Sequence, residues 1–216
     1  MFNKKVVFIF GRFQVPTKGH AEMIRYGAEY ARRTGAEFRV YTSKSWDKDK
    51  NPLPYQQKIT FLRSLFPGVN IVDDPNTRSA FDVCRQPSDQ GVEDVTMITG
   101  GDRVAEFQRS IGSYVLDKRS PKFDKTKHFA FAKFKVINSG NRKSGVSGTQ
   151  MRDYIRKNKF KEFLATAPTT DKALAKKIFT SARLNLHEVV MRKKPVVPSS
   201  STAWKQRRKR DAAALL

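Results

Sequence analysis

Residues 8–20, FIFGRFQVPTKGH, decide how the rest of the chain is read. Val6 to Phe10 is a continuous apolar run, the mark of a strand buried on both faces. Gly11 lets the backbone turn closely at the strand's end. Pro16 and Thr17 then read as a helix entrance, with Thr17 at the N-cap and Lys18, Gly19 and His20 at the first three helical positions. The N–H groups of a helix start have no partners within the helix and carry partial positive charge. Gly19 adds no side chain, so a phosphate can approach, and His20 projects a donor at it. Together these make an anion site. The same residues also fit a helix start whose histidine only caps or packs.

Outward from this stretch, the helix runs to about Thr34. Ile24, Ala28 and Ala31 share one face and Gly35 is the stop. Phe38–Thr42 is a second strand, so a parallel pair with a right-handed crossover follows. Residues 55–66, YQQKITFLRSLF, read as an amphipathic helix closed by Pro67 and Gly68, and VNIVDD (69–74) as a short strand. A helix over 77–86 follows, then the strands DVTMITGGD (94–102) and AKFKVINS (132–139), and a helix from Ser147. This alternation predicts an α/β class, Rossmann-like, with a doubly wound parallel sheet. The organisation expected is a nucleotide-binding domain over 1–165, a short helical C-terminal extension over 166–189, and a basic tail over 190–216. Segment 117–135, dense in Lys with interleaved Phe, fits either a basic loop over a site or a strand with a solvated face.

Composition sets the partners. A formal charge of +23 on 216 residues attracts polyanions, from nucleotides to nucleic acid. One cysteine, Cys84, excludes an internal disulfide framework and reads as a small buried hydrophobe. No run is long enough to span a bilayer and no leader is visible, so a cytoplasmic protein is expected, with a virion as the alternative location. His20, His128 and His187 are scattered without Cys partners at ligand spacing, so no metal site is expected.

Two further stretches carry chemistry. In GNRKSGVSGTQMRDYI (140–155), Ser147 and Gln150 have capping-box spacing, Thr149 adds a hydroxyl and Arg152 follows in the second turn. Arg142, Lys143, Gly145 and Gly148 surround the entry, which suits a triphosphate. The Gly140–Gly145 spacing approaches a P-loop, but Val146 stands where its lysine belongs. A capped surface helix with a solvated arginine is the other reading. In TGGDR (99–103), Gly100 and Gly101 let a flat base approach the backbone and Asp102 accepts from a ribose or base; a tight turn explains the stretch equally.

Taken in order, GRFQVPTKGH, KNPLPYQQKITFLRSLFP, TGGDRVAEF and VSGTQMR resemble the HIGH-motif nucleotidyltransferase superfamily, nicotinamide-nucleotide adenylyltransferases among them, over roughly residues 4–165. The resemblance implies transfer of an adenylyl or cytidylyl group from a triphosphate to a phosphorylated acceptor, with ATP as donor, Mg2+ carried by the triphosphate, and nicotinamide mononucleotide as the first candidate acceptor. It implies that His20 meets the triphosphate and its developing charge, that Thr17 replaces the first histidine of the signature, and that Ser147, Thr149 and Arg152 bind the outer phosphates. Gly11, Arg12, Phe13, Gly19, Gly101 and Asp102 complete the nucleotide-binding set. Thr17 and Gly148 depart from the commoner His and Ser of the two signatures. Trp46, Tyr55 and Arg103 are candidates to hold the acceptor, with core packing as the alternative for each.

The large charge is not needed for small nucleotides. A rival expectation is therefore a nucleic-acid-associated or virion structural protein on the same fold. It would bind nucleic acid or a protein assembly through Lys205, Arg207, Arg208, Lys209 and Arg210, with Trp204 beside them.

Overall fold

Strand β1 (Lys5–Gly11) is apolar at successive positions because both of its faces are covered. Val6 and Phe8 pack with Val83, Val95, Met97, Phe107 and Val136, while Val7 and Ile9 pack with Ile24, Ala31, Val40, Ile59 and Leu62. That division follows from the period of two along a strand. The computed structural model describes residues 5–47, 49–140 and 147–191, the last five as backbone only. The remaining elements are α1 (Lys18–Thr34), β2 (Glu37–Thr42), α2 (Tyr55–Leu65), α3 (Ala80–Asp89), β3 (Asp94–Thr99), α4 (Val104–Gly112), β4 (Lys133–Asn138), α5 (Gly148–Arg156), α6 (Phe160–Thr166) and α7 (Lys172–Met191).

The four strands are all parallel in the order β2-β1-β3-β4. The chain leaves β1 for β2 on one side and returns to β3 on the other. A crevice therefore opens beyond the carboxyl ends of β1 and β3, where open α/β sheets bind ligands. The doubly wound expectation holds, with α1 and α2 contributing to one core and α3 and α4 to the other.

Local signals account for the helix limits. Thr17 caps α1 and Gly35, at φ 65°, ends it in the left-handed conformation that glycine adopts cheaply. VNIVDD forms only a single parallel bridge, Ile71 beside Val40, because its pairing is confined to Val40 N–H to Asn70 O and Val72 N–H to Val40 O. TGGDR does not end in a loop. Gly101–Arg103 is a 3-10 turn that runs directly into α4.

Segment 117–135 is mostly turns and becomes strand only at its end, and none of it lines the cleft beyond the strand ends. Turns carry it to a bridge between Val115 and Phe129, and β4 then starts at Lys133. Arg85 pins the turns by donating to the carbonyls of Lys125, Thr126 and His128, and lies over the Phe129 ring. Several of its charges pair locally, Arg119 with Asp117 and Lys127 with Asp124. Cys84 is fully buried, and burial pushes its thiol up.

Helices α5, α6 and α7 enclose a third core. Met151, Ile155, Phe163, Ile178 and Phe179 pack there with Val15, Leu53 and Phe61. The C-terminal helices thus share their core with the loop that follows β1. That sharing brings α5 to the cleft. No helix among the described residues is long and apolar enough to cross a membrane.

Candidate active site

The start of α1 is built as a capping box with histidine in the place usually taken by Glu or Gln. The Thr17 Oγ1 accepts from the His20 N–H at 3.3 Å, and His20 Nδ1 accepts from the Thr17 N–H at 3.0 Å. Thr17 Oγ1 also lies 3.1 Å from Nδ1. A ring nitrogen that accepts from a backbone N–H bears no proton, so the neutral imidazole carries its proton on Nε2. The capping half of the sequence reading of His20 is thus seen directly, and the residue that bears the Nε2 proton also lines the cleft. Behind it the Phe13 ring lies 4.9 Å away, centroid to centroid.

Phe13 is fully buried and has φ 46°, a conformation rare for a bulky residue. Its ring sits over Gly11, where a Cβ would come within 2.9 Å of the ring. Gly11 is thus needed for the side chain two residues later. Gly11→Ala is expected to lower stability by about 1–3 kcal/mol through overpacking, measured by urea denaturation. A smaller change would mean that Phe13 swings away without cost.

Gln14 ties three segments together. Its buried amide donates to the Leu53 carbonyl at 2.8 Å and to that of Ser45 at 3.2 Å, and accepts from the Leu53 N–H at 2.8 Å. Its backbone carbonyl accepts from Arg152 Nη1 at 2.6 Å. Arg152 Nη2 donates to Thr149 Oγ1 at 3.0 Å. Gly148 leaves room for this fold-back, since a Cβ there would lie 3.3 Å from Nη1 and 3.4 Å from the Gln14 oxygen. One turn on, Arg156 donates to the Asp49 carbonyl at 2.6 Å. Burial, then the facing Arg156 and Arg12, hold the Arg152 guanidinium below its usual basicity. The Asp47 carboxylate opposes this shift only in small part.

Ser147 caps α5 as expected, its Oγ accepting from the Gln150 N–H at 3.2 Å. The reciprocal half of the expected box is absent, because the Gln150 side chain donates to the Tyr154 hydroxyl one turn later.

These parts border one cleft of about 300 Å3. Gly11, Arg12, Phe13, Thr17, Gly19, His20, Asp102, Arg103, Ser147, Thr149 and Arg152 all line it, so most of the sequence-derived set is brought together. Its lining carries the cations Arg12, Lys50, Arg103 and Arg152 against the carboxylates Glu22 and Asp102. Among the described residues no group of three or more His, Cys, Asp or Glu could hold a metal ion.

Two expectations fail, and for a third residue the core-packing alternative holds. Gly101 is not part of the lining; the Asn138 carboxamide, 2.8 Å from where its Cβ would be, occupies the space meant for a base. Trp46 is 56% exposed and outside the cleft, so it neither packs in the core nor holds an acceptor there. Tyr55 packs against the α1–α2 core beneath Lys44 and is likewise outside the lining. Of the three acceptor candidates, Trp46, Tyr55 and Arg103, only Arg103 reaches the cleft, its guanidinium 4.4 Å from the Phe107 ring. Arg142, Lys143, Gly145 and the tail cations Lys205, Arg207, Arg208, Lys209 and Arg210, with Trp204, lie outside the described residues.

Sequence reading missed Gln14 and Lys58. Each left a signal: Gln14 is a polar residue between apolar Phe13 and Val15, and Lys58 interrupts the apolar stripe of Phe61, Leu62 and Leu65.

No family model and no curated protein matches the sequence. Solved structures do. Plasmodium falciparum nicotinic acid mononucleotide adenylyltransferase, complexed with NaAD, superposes with a TM-score of 0.54 at 12% identity, over 84% of this chain and 97% of that one. Thermotoga maritima TmcAL, bound with alpha-thio ATP, gives a TM-score of 0.50 at 10% identity over 85% of this chain. The match spans 56% of the TmcAL chain. Together with the strand order and the cleft beyond the strand ends, these likenesses establish that the chain has a nucleotidyltransferase-like α/β fold.

Proposed function

We propose that the protein transfers an adenylyl group from ATP to a small phosphorylated acceptor, with nicotinamide mononucleotide as the first candidate. The observation that carries this reading is the pairing across one cleft of a tautomer-fixed His20 at the start of α1 with Arg152 near the start of α5. The likeness to an adenylyltransferase and to a structure holding an ATP analogue supports it.

In this reaction an oxygen of the acceptor phosphate attacks the α-phosphorus. The bond from that phosphorus to the α–β bridging oxygen breaks, and pyrophosphate leaves. No enzyme nucleophile is needed, so the work falls to positioning and charge stabilisation. His20 Nε2–H and the N–H groups at the start of α1 serve the developing charge, and Arg12 and Arg152 hold the triphosphate. Among the described residues the lining is rich in cations and holds two carboxylates, which suits a metal that arrives on the nucleotide rather than one caged by the protein. Magnesium on the triphosphate supplies further neutralisation of the leaving pyrophosphate.

The test is pyrophosphate release with ATP or CTP and magnesium. The acceptors are nicotinamide mononucleotide, nicotinic acid mononucleotide, phosphopantetheine and simple phosphomonoesters. Release with ATP and one acceptor is the expected result. Silence across the panel with MgATP still bound would overturn transfer and leave a nucleotide-binding protein.

A further inference from the structure

Lys58 is 0% exposed, although a buried ammonium is costly unless it is paired. Among the described residues no carboxylate pairs with it. Its Nζ donates to the backbone carbonyl of Ser43 and, at 3.4 Å, to that of Arg12. These two carbonyls occupy a special place. The pairing of β1 with β2 ends at Gly11 and Thr42, and the Ser43 N–H still donates to the Gly11 carbonyl at 2.9 Å. Residues 12 and 43 are therefore the first to leave the sheet on either strand. The ammonium sits beneath the point where the strands part, and the loop from β1 borders the cleft directly above.

The peptide that joins Arg12 to Phe13 is trans, so its C=O and N–H point to opposite sides. A carbonyl drawn inward to Lys58 turns the Phe13 N–H the opposite way and fixes where the side chain of Arg12, which lines the cleft, leaves the backbone. Thr42 Oγ1 lies 3.5 Å from the same carbonyl, so a neutral hydroxyl and the charged ammonium share it, and the charge-assisted donor is the stronger of the two.

We propose that Lys58 is a positioning residue of the nucleotide cleft: its buried ammonium holds the Arg12 and Ser43 carbonyls inward and so sets the Arg12–Phe13 peptide against which the triphosphate lies. The inference rests on the nucleotide-binding reading above. A lysine kept only to fill the core would be a poor choice there. Burial alone moves its amine down to about 8, so near neutral pH the charge opposes folding. Methionine has a similar length without that liability.

Lys58→Met decides the matter by calorimetric titration with MgATP, urea denaturation and the pyrophosphate assay. At least tenfold weaker MgATP binding is expected, with an unchanged or raised denaturation midpoint. In the assay the loss should fall on the KM for ATP more than on kcat. Lys58→Arg, which keeps the charge and the donors, should recover part of the affinity. Should the methionine variant not fold, Lys58→Leu, which likewise lacks both charge and donor, takes its place with the same weakened binding expected. Wild-type MgATP affinity in the methionine variant, or in the leucine variant where it stands in, overturns the inference and leaves the adenylyl-transfer reading intact. Equal weakening in every variant, arginine included, with a lowered midpoint in each, marks a core lysine and also overturns it. A wild-type protein that binds no MgATP overturns both.

Discussion

His20→Ala is expected to lower turnover by about 10²–10³-fold, the usual cost of removing a donor aimed at developing charge. The alanine loses Nε2–H, the nitrogen that the Thr17 N–H leaves protonated by occupying Nδ1. The same substitution also opens half of the capping box, which costs about 1 kcal/mol of stability. A drop in turnover alone would not separate these roles. His20→Gln does separate them. Glutamine is a normal partner in a box begun by threonine, since its carbonyl oxygen can accept from the Thr17 N–H. It restores the helix start but not the imidazole. Turnover should therefore remain low in His20→Gln while the thermal midpoint returns to that of the wild type. Recovery of both together would show that His20 serves only the helix, and the catalytic assignment would fall.

The sheet and much of the cleft were legible in the sequence because their determinants are local. An apolar run marks β1, Thr17 and Gly35 delimit α1, and Ser147 starts α5. What was hidden depends on distance along the chain. Arg152 reaches the Gln14 carbonyl across 138 residues, and no spacing rule connects them. Lys58 looks like a flaw on an apolar stripe until the carbonyls of Arg12 and Ser43 are placed over it. The errors have the same origin. Gly101 reads as an opening for a base, but the space belongs to Asn138 from β4, a strand whose neighbour is set only by the topology. Ser147 and Gln150 have the right spacing for a box, yet Tyr154 offers the glutamine side chain a competing partner on the same helix face. Gly148 was read as a hydroxyl lost from the signature. The structure gives it a use, because a side chain there would crowd Arg152 Nη1, 3.3 Å from the Cβ position, where it folds back.

Arg152→Ala is expected to weaken MgATP binding by about 10- to 100-fold, in line with the roughly 1.5–3 kcal/mol of a charge-assisted hydrogen bond. Stability should change much less. The arginine contributes bonds to the Gln14 carbonyl and the Thr149 hydroxyl, but it is half-buried and faces Arg156 and Arg12. Loss of the two bonds is offset by relief of burial and of like-charge repulsion, for a net change within about 1 kcal/mol. On the adenylyl-transfer reading, a triphosphate beside Arg152 supplies the negative charge that the free protein does not place there. Arg152→Lys should recover little, because a single ammonium cannot span the Gln14 oxygen and the Thr149 hydroxyl as the planar fork does. Calorimetric MgATP titration beside urea denaturation distinguishes the cases. Unchanged affinity with a clear loss of stability would make Arg152 a strut between α5 and the loop after β1. Weakened affinity with stability intact means that the fold tolerates mutual repulsion at the cleft because the triphosphate relieves it.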